Sequence, residues 1–206
     1  MKKIELPSPT LVLVAGVSST GKSTLIGDVV PSVQNSFWIE KDLINYAFLR
    51  TSDASKTGVG AYKMDGPEIP RFGPHYDAFV RRQTYDLMLK LAMANLELGK
   101  HPFLEAAYGK EIQMEYIDKI VGEFFSEVSH NLKIILCYAD PAVIHQRIRD
   151  EQAPHDADKT TWEQFQETLR RDPIFPSELE RHDHVEIDTA RPREFNTSKV
   201  LEYLVK

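Results

Sequence analysis

The chain has 206 residues, of which 42% are hydrophobic and 27% charged, and a formal net charge of −6. That is enough apolar content for one good core. The acidic balance, with no long basic run, argues against nucleic acid as a partner and leaves room for a local basic cleft that takes a phosphorylated substrate. The single cysteine, Cys137, excludes an intrachain disulfide and a cysteine metal cluster. It sits in an apolar run as a core thiol, which fits a reducing, cytoplasmic setting. No stretch approaches the length of a membrane span. The opening Met1-Lys2-Lys3 is followed by polar residues and prolines rather than by the apolar run of a signal peptide.

Residues 11–15 read as a short buried strand. The next eight residues, Gly16-Val17-Ser18-Ser19-Thr20-Gly21-Lys22-Ser23, match G-x-x-x-x-G-K-[ST] at every fixed position. Residues 22–30 follow as a helix. Strand two covers 36–40, and a helix over 43–49 takes Asp42 as its N-cap. Residues 51–74 carry four Gly and three Pro and read as a lid, a binding loop or a mobile segment. A long helix spans 76–98, with Val80, Thr84, Leu87, Leu91, Ala94 and Leu98 on one stripe and Gly99 as its stop.

Strand three covers 101–106. An amphipathic helix over 111–128 turns Ile117, Ile120, Val121, Phe124 and Phe125 inward. Strand four, 132–138, is the most continuous apolar run. Asp140 caps the next helix, with Pro141 at its first position. After the charged stretch 151–159, a capping box from Thr160 to Glu163 opens a helix through Arg171. Strand five covers 184–187, and Pro192 opens a last helix through Leu204. This alternation implies crossover units, and so a parallel sheet whose ligands bind at the carboxyl ends of its strands.

The glycine loop explains its own spacing. Gly16 and Gly21 permit backbone angles that a side chain forbids. The loop amides, from Gly16 through Thr24, can then turn inward as an anion nest at a helix N-terminus. Lys22 reaches the outer phosphates, and the Ser23 hydroxyl is placed to ligate Mg²⁺ beside ATP. Asp42 serves as a helix cap, as a carboxylate that orients an acceptor hydroxyl and takes its proton, or as both. Glu105 either holds a magnesium-bound water or pairs with Lys22. The stretches 51–76 and 106–110 carry Arg71, Tyr76 and Tyr108, a mix of charge and rings that suits a phosphorylated or nucleotide-like acceptor as well as an ordinary surface.

The glycine loop, WIEKDLI after strand two and ADPAVIHQRI after strand four together resemble the small P-loop kinases, in particular the zeta-toxin-like and chloramphenicol-phosphotransferase-like group. The resemblance implies an α/β three-layer sandwich: a five-stranded parallel sheet of order 2-3-1-4-5 with helices on both faces. It implies one domain over 1–206, with a substrate insertion at about 51–75 and a short lid at about 150–160. It also implies ATP with Mg²⁺ and phosphoryl transfer to a hydroxyl of a small molecule. On this resemblance Lys22 and Asp42 carry over as catalytic residues. Arg147 carries over as a cation for the transferring group, and Arg191, in the loop after strand five, as a nucleotide contact. The chain departs from the pattern in its lid, where 151–156 holds no arginine. Arg149, Arg170, Arg171 or Arg181 is left to supply that charge. The alternative is an ATP-binding regulatory protein or slow ATPase.

Overall fold

The computed structural model describes residues 3–50, 55, 57–62, 66, 73–152 and 154–206. Five strands, β1 (Thr10–Ala15), β2 (Ser36–Glu40), β3 (His101–Glu105), β4 (Asn131–Tyr138) and β5 (His184–Asp188), form one sheet in the order β2-β3-β1-β4-β5. β1 runs parallel to β3 and to β4, with Val14 opposite both Glu105 and Ile135. β4 runs parallel to β5. Every residue of the central β1 is buried, as a strand covered on both faces requires.

Eight helices connect the strands among the described residues. They are α1 (Lys22–Val29), α2 (Lys41–Leu49), α3 (Arg81–Leu96), α4 (Gly109–Gln113), the one-turn α5 (Gly122–Phe124), α6 (Pro141–Glu151), α7 (Trp162–Arg171) and α8 (Arg193–Leu204). On one sheet face Val12, Val14, Phe103, Ile135, Cys137 and Ile187 pack against Leu25, Ile26 and Val29 of α1 and Val200, Tyr203 and Leu204 of α8. The alternate residues Leu11, Leu13, Leu104, Ile134 and Leu136 are buried on the opposite face. A satellite cluster joins Ile144 and Ile148 of α6 to Phe165 of α7, Val17 and Ile174.

Contacts divide the chain into two compact units, Met1–Ile39 with Ala92–Lys206, and Glu40–Leu91. Much of the expected insertion at 51–75, Arg71 included, lies outside the described residues. Within the second unit, the buried Asn45 donates to the Tyr76 hydroxyl at 3.1 Å and accepts from Thr84 Oγ1 at 2.7 Å.

The structure departs from the sequence expectations in four places. Helix α2 begins at Lys41 with Glu40 as its N-cap, so Asp42 lies in the first turn, where a carboxylate meets the positive helix end. Along 76–98, a π-type turn at Tyr76–Val80 precedes α3. The buried stripe there is Val80, Thr84, Tyr85, Met88, Leu89, Ala92 and Leu96, while Leu91, Ala94 and Leu98 are exposed. The expected helix at 111–128 breaks at Glu115, whose φ is +58°, and resumes in a π-type turn. Ile117, Val121 and Phe125 still face inward, but Ile120 does not. The capping box forms one residue later than expected, between Thr161 and Gln164.

Candidate functional site

The glycine loop leaves β1 at the carboxyl edge of the sheet and enters α1 directly. Gly16 has φ +139°, and a Cβ there would collide with the Cys137 carbonyl oxygen on the neighbouring β4. Its N–H donates to Ala107 O at 3.0 Å, which pins the loop to the segment after β3. The Val17 carbonyl is the hub inside the loop. It accepts from Thr20 Oγ1 at 2.8 Å and from Lys22 Nζ at 2.9 Å. Lys22 is buried, at 9% exposed. Ser23 Oγ donates to Glu105 Oε1 at 2.7 Å, so the last loop hydroxyl and the carboxylate at the end of β3 meet. These contacts tie the loop to the end of β3 and to its own Val17 carbonyl, at the positive end of α1.

One side of the loop opens on a cavity of about 290 Å³, whose lining includes Gly21, Thr24, Arg147, Thr189, Arg191 and Asn196. The Arg147 guanidinium ties three elements together here. Nη1 donates to Ser19 O at 3.3 Å and to Thr189 Oγ1 at 3.0 Å, and Nη2 donates to Thr189 O at 3.2 Å. Asn196, in the first turn of α8, donates from Nδ2 to the Asp188 and Arg191 carbonyls at 2.9 and 3.3 Å and so fixes the loop after β5. Arg191 lies over the Phe195 ring, 5.3 Å from its centre.

Carboxylates also meet the loop, and Glu151 is among the residues that line this cavity. Ser18 Oγ donates to Asp156 Oδ2 and Ser19 Oγ to Glu151 Oε2, each at 2.8 Å. Asp172, just past α7, accepts the Lys110 N–H at 3.0 Å. A Cβ on Gly109 would strike that carboxyl, so the close approach needs glycine. Burial pushes the Asp172 carboxyl above its usual range and Glu111 adds to the push, while the Lys110 N–H and the Lys22 and Lys159 ammoniums oppose it. The Cys137 thiol is pushed up to about 12 by burial and is inert at neutral pH.

Solved structures of kinases share this architecture. A candidate kinase from Chloroflexus aurantiacus J-10-fl superposes with a TM-score of 0.64 at 17% identity, over 96% of this chain and 97% of that one. A gluconokinase from Sinorhizobium meliloti 1021 gives 0.55 at 14% identity, over 98% and 93%. A shikimate kinase from Acinetobacter baumannii, solved with shikimate, gives 0.53 at 14% identity, over 96% and 93%. The chain has the P-loop kinase fold. No family model and no curated protein sequence matches it.

Within that P-loop kinase fold, the structure gathers residues 16–24, Glu105, Arg147 and Arg191 around one loop. Asp42 and Tyr76 belong to the unit Glu40–Leu91. Tyr108 lies at the start of α4 with φ +60°, and its ring is 1% exposed. It packs against Tyr116 with ring centres 6.0 Å apart, so neither face is open to an acceptor. The sequence gives no role to Glu151, Asp156 or Asp172, and Thr189 enters only as part of the nucleotide-contacting loop after strand five. The three acids are distant in sequence and share no motif spacing with the glycine loop.

Proposed function

We propose that the chain is an ATP-dependent phosphotransferase that moves a γ-phosphoryl group to a hydroxyl of a small-molecule or nucleotide-like acceptor. The observation that carries this reading is the joint placement of the loop amides, the Lys22 ammonium and the Ser23–Glu105 pair at one helix N-terminus. The loop amides would hold the β- and γ-phosphates. Lys22 would exchange the Val17 carbonyl for phosphate oxygens. Arg147 and Asn196 would act by positioning, since they hold the loop after β5 against the glycine loop, and Arg191 would contact the nucleotide beside it.

Ser23 and Glu105 offer a hydroxyl and a carboxylate, hard oxygen donors that fit Mg²⁺. Among the described residues no cluster of three or more His, Cys, Asp or Glu could hold a metal, which suits an ion taken mostly by phosphate and water. When bound, such an ion neutralises charge on the phosphates. In the transfer, the acceptor oxygen bonds to the γ-phosphorus as the bond to the β,γ-bridging oxygen breaks. The electron pair leaves on ADP, and the hydroxyl proton passes to a carboxylate, for which Asp42 is the candidate.

The test is transfer from γ-labelled ATP into fractionated pools of small hydroxyl compounds, run with wild type, Lys22→Ala and Asp42→Ala. Labelled product that disappears with Lys22→Ala and falls about 10²- to 10⁴-fold with Asp42→Ala is the expected result. Equal product from wild type and Asp42→Ala would remove Asp42 as the base. A second reading, an ATP-binding regulatory protein, is favoured by the carboxylates of Glu151 and Asp156 on the loop serines, where a cation is expected of a transferase. Tight ATP binding with no acceptor-stimulated turnover would select it.

A further inference from the structure

The stretch after α6 holds no arginine from residue 151 to 159, yet a transferring phosphoryl group spreads negative charge over its outer oxygens. The structure gives every arginine candidate but Arg149 a partner of its own. Arg170 and Arg171 both pair with Glu167 on their own helix and are 72% and 74% exposed. Arg181 faces Glu115 and Asp118 at 3.6 and 3.7 Å. Arg147 spends its fork on Ser19 and Thr189. Arg149 is exposed and, two residues further along α6, lines a cavity with Asp150, Asp156 and Thr160 rather than the one beside Gly21 and Arg147.

Lys159 is placed differently. It closes the helical turn Pro154–Lys159. Its side chain is 18% exposed, and Nζ donates to Asp156 Oδ1 at 2.6 Å. The other oxygen of that carboxylate accepts the Ser18 hydroxyl, inside the glycine loop. One buried carboxylate therefore holds an ammonium to the phosphate cradle through two hydrogen bonds. Asp172 marks the same neighbourhood, because its carboxyl feels the positive charge of both Lys22 and Lys159. An ammonium suits the place: it is a compact charge on a flexible stem, with three donors that can pass from Asp156 to a phosphate oxygen without a fixed fork to align.

We propose that Lys159 is the lid cation of this phosphotransferase: it contacts the γ-phosphoryl group and neutralises its non-bridging oxygens, and Asp156, anchored on Ser18, presents it to the loop. The inference rests on the phosphotransferase reading above. It assigns to a lysine the charge that the sequence left to an arginine.

Calorimetric titration with ADP and with the nonhydrolysable AMP-PNP, both in Mg²⁺, tests it on wild type, Lys159→Met, Lys159→Arg and Arg170→Ala. Lys159→Met should weaken AMP-PNP about tenfold and leave ADP within about twofold, because only the triphosphate reaches the lid. Lys159→Arg should recover most of the loss, and Arg170→Ala should match wild type for both ligands. The retained ADP affinity also shows that the variant is folded. Equal AMP-PNP affinity in wild type and Lys159→Met overturns the assignment and leaves the nucleotide site standing. Parallel loss of ADP and AMP-PNP overturns it too, by making Lys159 a structural prop. A wild-type protein that binds neither nucleotide overturns this inference together with the phosphotransferase reading.

Discussion

His101 and Asp172 are buried titratable groups whose pH effects have opposite signs. His101 opens β3, and its Nδ1 accepts the Thr10 N–H of β1 at 3.2 Å, a bond that only the neutral ring can make. Burial lowers its pKa below the ordinary 6.5. The unfolded chain therefore binds this proton more readily than the fold does. The stability His101 contributes is complete above pH 6.5 and is lost as pH falls through that value towards the folded pKa. Denaturant midpoints at pH 7.5 and 5.5 should fall more steeply for wild type than for His101→Gln, whose amide oxygen can still accept. Asp172 works the other way, since its folded pKa is raised above 3.8. Its charged form costs stability at neutral pH, and the cost is relieved as pH falls through the folded pKa. Asp172→Asn keeps an acceptor for the Lys110 N–H. It should raise the midpoint at pH 7.5, with the gain shrinking as pH approaches 3.8.

Elements that carry a chemical constraint, and the strands with their apolar runs, could be read from the sequence, whereas the caps, breaks and buried faces of several helices could not. The strand–loop–helix from Thr10 to Val29 lies where it was expected, because Gly16 must pass under a carbonyl and Lys22 must open a helix. Asp140 caps α6 as expected, with its Oδ1 accepting the Ala142 N–H at 2.8 Å. The capping box slipped by one residue because Thr160/Glu163 and Thr161/Gln164 both satisfy the pattern. Local sequence cannot rank two equivalent caps. The break at Glu115 escaped notice because a π-type turn restores the spacing of Ile117, Val121 and Phe125, so the apolar stripe runs on as if the helix were whole. The Arg147 contacts were equally invisible, since Ser19 and Thr189 lie 128 and 42 residues away. Those contacts predict a selective failure. Arg147→Ala removes three hydrogen bonds that join α6, the glycine loop and the loop after β5. It should cost about 1–3 kcal/mol in a denaturant titration and weaken ATP more than inorganic phosphate. Arg147→Lys should rescue little, because one ammonium cannot replace a two-pronged fork.

Across the whole molecule, an acidic chain gathers its cations around one loop. The net charge is −6, yet Lys22, Arg147 and Lys159 all reach the glycine loop or a carboxylate bonded to it. The carboxylates of Glu105, Glu151 and Asp156 meet the same loop, and a bound triphosphate would give Lys22 and Lys159 a stronger partner than the Val17 carbonyl and Asp156. A ligand that binds only the folded state at a hundred times its Kd stabilises by about 2.7 kcal/mol. For a chain of this size each kcal/mol is worth about 2–4 °C of melting temperature. Saturating ATP with Mg²⁺ should therefore raise Tm by about 5–11 °C in a calorimetric scan. The rise should shrink in high salt, where exposed charges are screened. It should vanish in Gly16→Ala, whose Cβ cannot pass the Cys137 carbonyl without opening the loop. A Gly16→Ala protein that melts with the full ATP-induced shift would separate nucleotide binding from the loop and leave the gathered cations to another ligand.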